Sequence, residues 1–381
     1  MHFFLNIYPR LFKDGGRLGG RAGRAKGEGM NGTETAREKR LVRDQGARSA
    51  PKSFIPRLAL WAGVGVFVCA LALSCGDDEE PTPNYHYVYI GMVGEQDDAV
   101  HKLNAATGEK VFGFGTSWGA LNVDVDARNG EVYFYTLNYL SKFSKEGNLQ
   151  YKVKVDSGSV YDRMVFDKKN NTVWVLEAND GDITGYRGAD GKEVFTFPTE
   201  LWSAEELILD EEENVLWVVG YYGYKVRKFS KGGEKLLELE GNEMLAPMAI
   251  DTTNDTVIFA WYEGQQAETM KLRRYTKNGT KLQEFPVSMR HVKGLAVEPK
   301  TGVIWVSDGL ESERYSATGE FLGTLSDVGF MRSDFSYGGK LMFGVDGNRR
   351  MFALRTKDVK TLWTGITSAG KDNTTVKYCL E

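Results

Sequence analysis

"MVFDKKNNTVWVLEANDGDITGYRGADGKEVFTF", residues 164–197, holds one complete period of a pattern that fills most of this chain. It opens with a short apolar run that ends in an acidic turn, Asp167 and the polar residues after it. A second apolar run follows, carrying Trp174. The loop "EANDGD" leads to "GYR", and the turn at Gly191 leads to the apolar run "EVFTF". Short β-branched and aromatic runs separated by Gly, Asn and Asp are strand signals with turn punctuation. Four such runs in sequence make an up-and-down sheet of four strands.

The same four runs recur along the chain. The Trp174 element returns as "YVYIG" at 87, "EVYFY" at 131, "VLWVV" at 215, "TVIFA" at 256, "VIWVS" at 303 and "KLMFG" at 340, with starts 37–47 residues apart. That period is the length of a four-stranded propeller blade. The glycine-turn element returns as "KLNAATGEKVFGF" at 102, "KFSKEGNLQYKV" at 142, "KFSKGGEKLLEL" at 228, "RYTKNGTKLQEF" at 274 and "RYSATGEFLGTL" at 314. A version without glycine, "MFALRTKDVKTLW", starts at 351. The fold class expected is therefore all-β, a propeller of seven blades, or six if the last repeat is not a blade.

Two repeat positions have a physical reason. Gly108, Gly147, Gly191, Gly233, Gly279 and Gly319 stand where a short hairpin needs positive φ, which glycine adopts without a Cβ penalty. Asp126, Asp167, Asp210, Asp251 and Glu298 occupy one equivalent position before a turn. Five acids in register suggest a metal ring, but an acid at the first position of a type I turn bonds its own backbone, and that reading has the better ground. The first blade lacks an inner strand. The strand-like "TTVKYCLE" at 374–381 is expected to supply it and close the ring, burying Cys379 as a small apolar residue.

These repeats resemble the NHL and YVTN groups of β-propellers, through "GLAVEPKTGVIWVSDG" at 294–309 above all. "KLNAATGEKV" in the first blade is similar to the PQQ-type repeat. The resemblance spans residues 85–370 and implies a fold more than a function.

Ahead of the repeats lie three segments. Residues 1–57 form a Gly/Arg-rich extension with no hydrophobic period, excluded from the fold; a start at Met30 or nearby would shorten it. Residues 58–74, "LALWAGVGVFVCALALS", are 17 apolar residues, short of the roughly 20 of a membrane-spanning helix and sized for a signal-peptide core. "ALSCG" at 72–76 then resembles a bacterial lipobox, with Ala72 where leucine is usual; the resemblance implies cleavage before a diacylated Cys75. Residues 75–84 read as an acidic tether to the propeller at 85–381. The expectation is an envelope lipoprotein, held by its lipid in the outer membrane, facing the periplasm or the surface.

Charge and motif content exclude several functions. Residues 1–74 carry a net +8, so the remainder carries −12 out of the total of −4. A nucleic-acid footprint needs a basic patch, and the repeats have no such excess. No Ser/His/Asp set, P-loop or dinucleotide fingerprint appears, and the cysteines (Cys69, Cys75, Cys379) form no pair with zinc or disulfide spacing.

Propellers bind ligands on the face that gathers the loops leading into each inner strand and those joining the second and third strands. There the chain offers Trp118, Tyr161, Arg163, Trp202, Glu206, Tyr222, Arg290, His291 and Arg332. Aromatics mixed with carboxylates and arginines around a concave mouth suit a protein or glycan ligand. The expected function is a non-catalytic binding or scaffold module, monomeric and without a cofactor. The alternative is a metal-dependent lyase or lactonase. Propeller lyases of similar fold use histidines, of which His291 alone lies in such a loop. The related calcium lactonases use Glu, Asn and Asp oxygens, which Glu177, Asn179, Asp180 and Asp182 place in one turn.

Overall fold

The computed structural model describes residues 68–71, 87–91, 377–378 and 100–366. Within the last range, 115–121, 127, 137, 156–161, 223–224, 241–244, 263–269, 336–338 and 347–349 are left out. Everything described falls in one unit, residues 59–381, and consists of strands and turns.

The strands form seven antiparallel sheets in chain order. Blade 1 comprises Val68–Leu71, Tyr87–Gly91, Val100–Asn104 and Lys110–Phe114, and blade 2 Asn122–Asp126, Glu131–Tyr135, Tyr139–Phe143 and Leu149–Lys154. Blade 3 comprises Arg163–Asp167, Thr172–Glu177, Asp182–Arg187 and Glu193–Pro198, and blade 4 Trp202–Asp210, Val215–Tyr222, Lys225–Ser230 and Lys235–Glu240. Blade 5 is Leu245–Asp251, Thr256–Tyr262, Met270–Thr276 and Lys281–Val287, and blade 6 is Gly294–Val297, Ile304–Ser307, Ser312–Tyr315 and Phe321–Leu325. Blade 7 is Arg332–Phe335, Leu341–Val345, Arg350–Arg355 and Lys360–Ile366, extended at its outer edge by Lys377–Tyr378. Each blade runs a, b, c, d from the axis outward. The inner strands touch around a full circle, that of blade 1 meeting those of blades 2 and 7. The chain is a seven-bladed β-propeller.

Closure departs from expectation. The inner strand of blade 1 is Val68–Leu71, paired antiparallel with Tyr87–Gly91 so that Val68 faces Ile90 and Leu71 faces Tyr87. Residues 374–381 do not supply it; Lys377 and Tyr378 pair with Thr364 and Trp363 on the outside of blade 7, and Cys379 lies outside the described residues. An inner strand is covered on both faces and favours an unbroken apolar run such as "VCAL", whereas alternating "VKY" suits a half-exposed edge.

The core is divided among the seven seams between blades. Each of the seven apolar clusters joins residues of two neighbouring blades, as Trp174, Ile183 and Phe197 of blade 3 meet Leu207, Leu216 and Phe229 of blade 4. The repeated c–d turn is part of these seams. The six repeat glycines adopt φ between +71° and +88°. A Cβ there would also strike the d strand of the preceding blade: Trp363 at Gly108, Phe112 at Gly147, Tyr151 at Gly191, Phe197 at Gly233, Leu237 at Gly279 and Phe285 at Gly319. Glycine is thus required twice, by backbone and by packing. In blade 7 Val359 adopts the positive φ, at 58°.

The acidic positions hold turns, as their chemistry predicts. Asp126, Asp167, Asp210 and Asp251 are buried, and each accepts a bond of 3.1 Å from the backbone N–H two residues on. Each also meets a cation: Arg128 on Asp126, Lys231 on Asp167, Lys277 on Asp210 and Arg274 on Asp251.

A second cross-seam device is a c-strand base lying over the b-strand aromatic opposite it. Lys102 sits on Tyr89, Lys142 on Tyr133, Lys228 on Trp217 and Arg314 on Trp305, at 5.3–5.6 Å from the ring centres. The cation then reaches a c–d turn carbonyl of the next blade, Lys102 to Lys145 at 3.3 Å and Lys228 to Lys277 at 3.0 Å.

On blades 4 and 5 the outer strands carry a matched cluster. Glu238 takes Lys225, Arg227 and Lys235; Glu284 takes Lys271, Arg273 and Lys281. Hydrogen bonds, from Lys225 first on Glu238 and from Lys281 first on Glu284, bring each carboxyl from 4.5 to about 2 despite partial desolvation. A depressed carboxylate stabilises the fold above its unfolded pKa and ceases to do so as pH falls through the folded value. The double variant Glu238→Gln, Glu284→Gln is therefore expected to be less stable than wild type at neutral pH. The gap should close between pH 4.5 and about 2, as read from urea midpoints across that range.

Candidate functional site

The inner strands enclose an axial cavity of about 920 Å³. Its wall is mainly aliphatic, including Val165, Ile208, Met248, Ile250 and Leu295, with Asp124 and Glu206 among its polar members. Asp124 is committed to structure: its carboxylate accepts from Val125 N at 2.8 Å and from Phe166 N at 2.6 Å, tying the inner strands of blades 2 and 3. The other blades place Val165, Ile208, Ala249 and Ala296 two residues before the turn acid, so the repeat itself marks Asp124 as exceptional.

The expected loop-face residues fall into three groups. Trp118, Tyr161 and Cys75 lie outside the described residues. Arg163 and Glu206 are half-buried on neighbouring inner strands, Glu206 in the cavity wall, and Arg163 Nη1 donates to the Asp162 carbonyl at 3.1 Å. Arg290 and His291 are exposed between blades 5 and 6. Trp202, Tyr222 and Arg332 sit at strand ends: Trp202 and Tyr222 are direct cross-strand neighbours in blade 4, and Arg332 pairs with Val345.

The best-built part of this face leads into Trp202. Glu200 and Ser203 adopt φ of 55° and 52°, a region costly for residues with a side chain, of order 1–3 kcal/mol each. The loop is pinned by the buried Arg227, which donates to the Thr199 carbonyl and lies 3.3 Å from Glu200. Thr199 in turn donates to the Gly181 carbonyl of the adjoining loop. A second tie is Asp162, fully buried, which accepts from Tyr135 Oη at 2.8 Å and from Ala178 N at 2.9 Å. Loops of the mouth are thus held by the blades beneath them.

The four residues expected to suit calcium share one tight turn, with Gly181 N donating to the Glu177 carbonyl at 2.7 Å. Asn179 and Asp180 are exposed at its tip. Glu177 accepts from Thr184 Oγ1 at 3.3 Å, and burial first, then the neighbouring Asp162, Asp182 and Asp180, push its carboxyl up. Among the described residues no group of three or more His, Cys, Asp or Glu side chains is placed to share a metal ion.

No family model matches the chain, and no curated protein does. Among solved structures, a chain of Kuenenia stuttgartiensis hydrazine synthase superimposes with a TM-score of 0.62 at 10% identity, over 76% of this chain and all of that one. Since 1539 solved chains match, this likeness speaks for the propeller architecture alone.

Proposed function

We propose that this protein is a membrane-anchored envelope lipoprotein whose propeller is a non-catalytic binding module for a protein or glycan on its loop face. The observation that carries the binding reading is the entry to blade 4. Two left-handed residues, Glu200 and Ser203, flank the paired Trp202 and Tyr222 there, and Arg227 holds Glu200 and the Thr199 carbonyl before it. Backbone strain kept in place by buried side chains is a feature of ligand-contacting loops. The anchoring reading is supported by "ALSCG" at 72–76 and the acidic tether after it, and the NHL-like and YVTN-like motifs agree with a binding propeller. A lyase or lactonase draws no support from the described residues, where His291 stands exposed and no three metal-binding side chains converge.

Lipidation and the inner strand of blade 1 make opposite demands on one segment. Cleavage before Cys75 removes Val68–Leu71, leaving the Tyr87–Gly91 edge to another strand. The test is metabolic labelling with an alkynyl palmitate in a bacterial host, followed by N-terminal mass analysis. Wild type is expected to carry lipid on an N-terminal Cys75, and Cys75→Ser to carry none and stay unprocessed. A wild-type chain that keeps residues 68–71 in a protease-resistant core would overturn the lipoprotein reading. For the binding face, a photo-crosslinking residue at Arg290 is expected to trap an envelope component that one at Lys357, in the c–d turn of blade 7, does not. The reverse result would reject the loop face.

A further inference from the structure

The seam between blades 3 and 4 breaks the cross-seam device described above. In register terms Trp174 faces Gly185, where Tyr133 faces Lys142 in blade 2 and Trp217 faces Lys228 in blade 4. The carboxylates that serve those two lysines are lost as well. Lys142 meets Glu131 at 2.7 Å and Lys228 meets Glu213, but their counterparts in blade 3 are Thr172 and Asn170. A third exchange lies across the seam. Lys277 in the c–d turn of blade 5 is held by Asp255 at 2.8 Å, whereas Lys231, its counterpart in blade 4, is held by Asn214 at 2.7 Å. Blade 3 thus has Gly185 in place of the seam lysine and Thr172 and Asn170 where blades 2 and 4 each place their one carboxylate, and blade 4 has Asn214 where blade 5 has Asp255.

A cavity of about 460 Å³ opens at this place. The exposed Val194 and the half-exposed ring of Phe195 give it an apolar side, where Trp174 is only 5% exposed, and Thr172, Asn170, Asn214 and Lys231 give it a polar one. At the next seam Lys228 fills the corresponding position and donates to the Lys277 carbonyl. Here the matching acceptor is the carbonyl of Lys231, and Gly185 offers it no side chain. A cationic guest is disfavoured, because the carboxylates are gone and Asp167 is already paired with Lys231. A neutral guest that has one apolar face and several hydroxyls meets every group present.

We propose that the blade 3–4 seam is a saccharide subsite. A pyranose lays its C–H face on Phe195 beside the buried Trp174, donates a hydroxyl to the Lys231 carbonyl and reaches Asn170 and Asn214 where they are not already taken up by the bonds of Asn170 to Asp167 at 2.8 Å and to Asn214 at 3.2 Å and of Lys231 to Asn214 at 2.7 Å. The site lies at the outer strands and the a–b and c–d turns, so it does not depend on the loop-face reading.

Titration with maltotriose, cellotriose and chitotriose, followed by calorimetry and tryptophan fluorescence, is expected to show saturation by at least one below about 10 mM. Phe195→Ser, at a position 41% exposed, should leave the melting temperature unchanged and weaken binding about tenfold. Gly185→Lys should abolish binding by restoring the seam base, with Trp174 shifting to admit the new side chain, whose Cβ would start 2.8 Å from the ring. If Gly185→Lys fails to fold, Phe195→Ser decides alone. No saturation by any trisaccharide, unchanged affinity in folded Phe195→Ser, or tighter binding of the diamine cadaverine would each overturn the proposal.

Discussion

Trp363→Ala is expected to lower the unfolding free energy by about 3–5 kcal/mol, the range for emptying a buried aromatic site. Trp363 belongs to the d strand of blade 7 and is 2% exposed. Its ring covers Gly108 of blade 1, and its Nε1 donates to the Ala105 carbonyl at 2.9 Å. That bond takes the place of the base-to-carbonyl link at the seam where the c strand of blade 7 has Ala353 opposite Phe343. Loss of the indole therefore removes packing and leaves a turn carbonyl without its donor. The seam is also the one that joins the first blade to the last, with 258 positions between Trp363 and Ala105. A contact of such separation is among those that close the whole ring, so the ring should open at this seam first. Equilibrium urea unfolding checks the magnitude. Phe197→Ala, the matching substitution at the blade 3–4 seam, is expected to cost less and to leave proteolytic resistance near both termini intact. A Trp363→Ala protein within about 1 kcal/mol of wild type would show that the ring is held elsewhere.

The features legible in the sequence were those set by local geometry. A glycine at positive φ and an aspartate capping its own turn each require one residue type at one offset, so Gly147 or Asp167 can be placed without knowing what lies across the seam. Features set by partners were not. Val68–Leu71 reads as part of a membrane-directed apolar run because its hydrophobicity is the same whether the neighbour is lipid or Tyr87–Gly91. Trp363 looked like an ordinary strand aromatic, and only the ring brings it to Gly108. The departure at Gly185 was visible in "GYRGADG" beside "KFSKEG", but its meaning depends on the register that sets it against Trp174. On the loop face, Trp202 and Tyr222 came from opposite ends of a blade's first hairpin, and pairing makes them neighbours. Arg227, which secures that corner, lies in a c strand and gave no loop signal at all.

Lys277→Met is expected to cost about 3–5 kcal/mol at neutral pH, the penalty for stranding a buried charge. Lys277 is 2% exposed and pairs with Asp210 at 2.9 Å, Asp255 at 2.8 Å and Glu212 at 3.3 Å. Burial alone would lower its pKa, but hydrogen bonds to Asp255 and Asp210 hold the ammonium above the ordinary lysine value. A raised lysine pKa contributes stability that is present below the unfolded value of 10.5 and is lost as pH rises through the folded one. Asp255 and Glu212 are exposed and can return to water when the lysine is removed; Asp210 is buried and cannot. The cost is thus concentrated on one carboxylate, and two signatures go beyond the loss itself. Adding Asp210→Asn to Lys277→Met should recover more than half of the deficit, since the amide still accepts from Glu212 N and Glu213 N and carries no charge. The deficit of the single variant should also shrink as pH rises above 10.5, where wild type loses the contribution of the Lys277 ammonium. A deficit that is constant with pH and not rescued by Asp210→Asn would mean that Lys277 acts through its alkyl chain at the blade 4–5 seam, and that the ion pair contributes nothing to closing it.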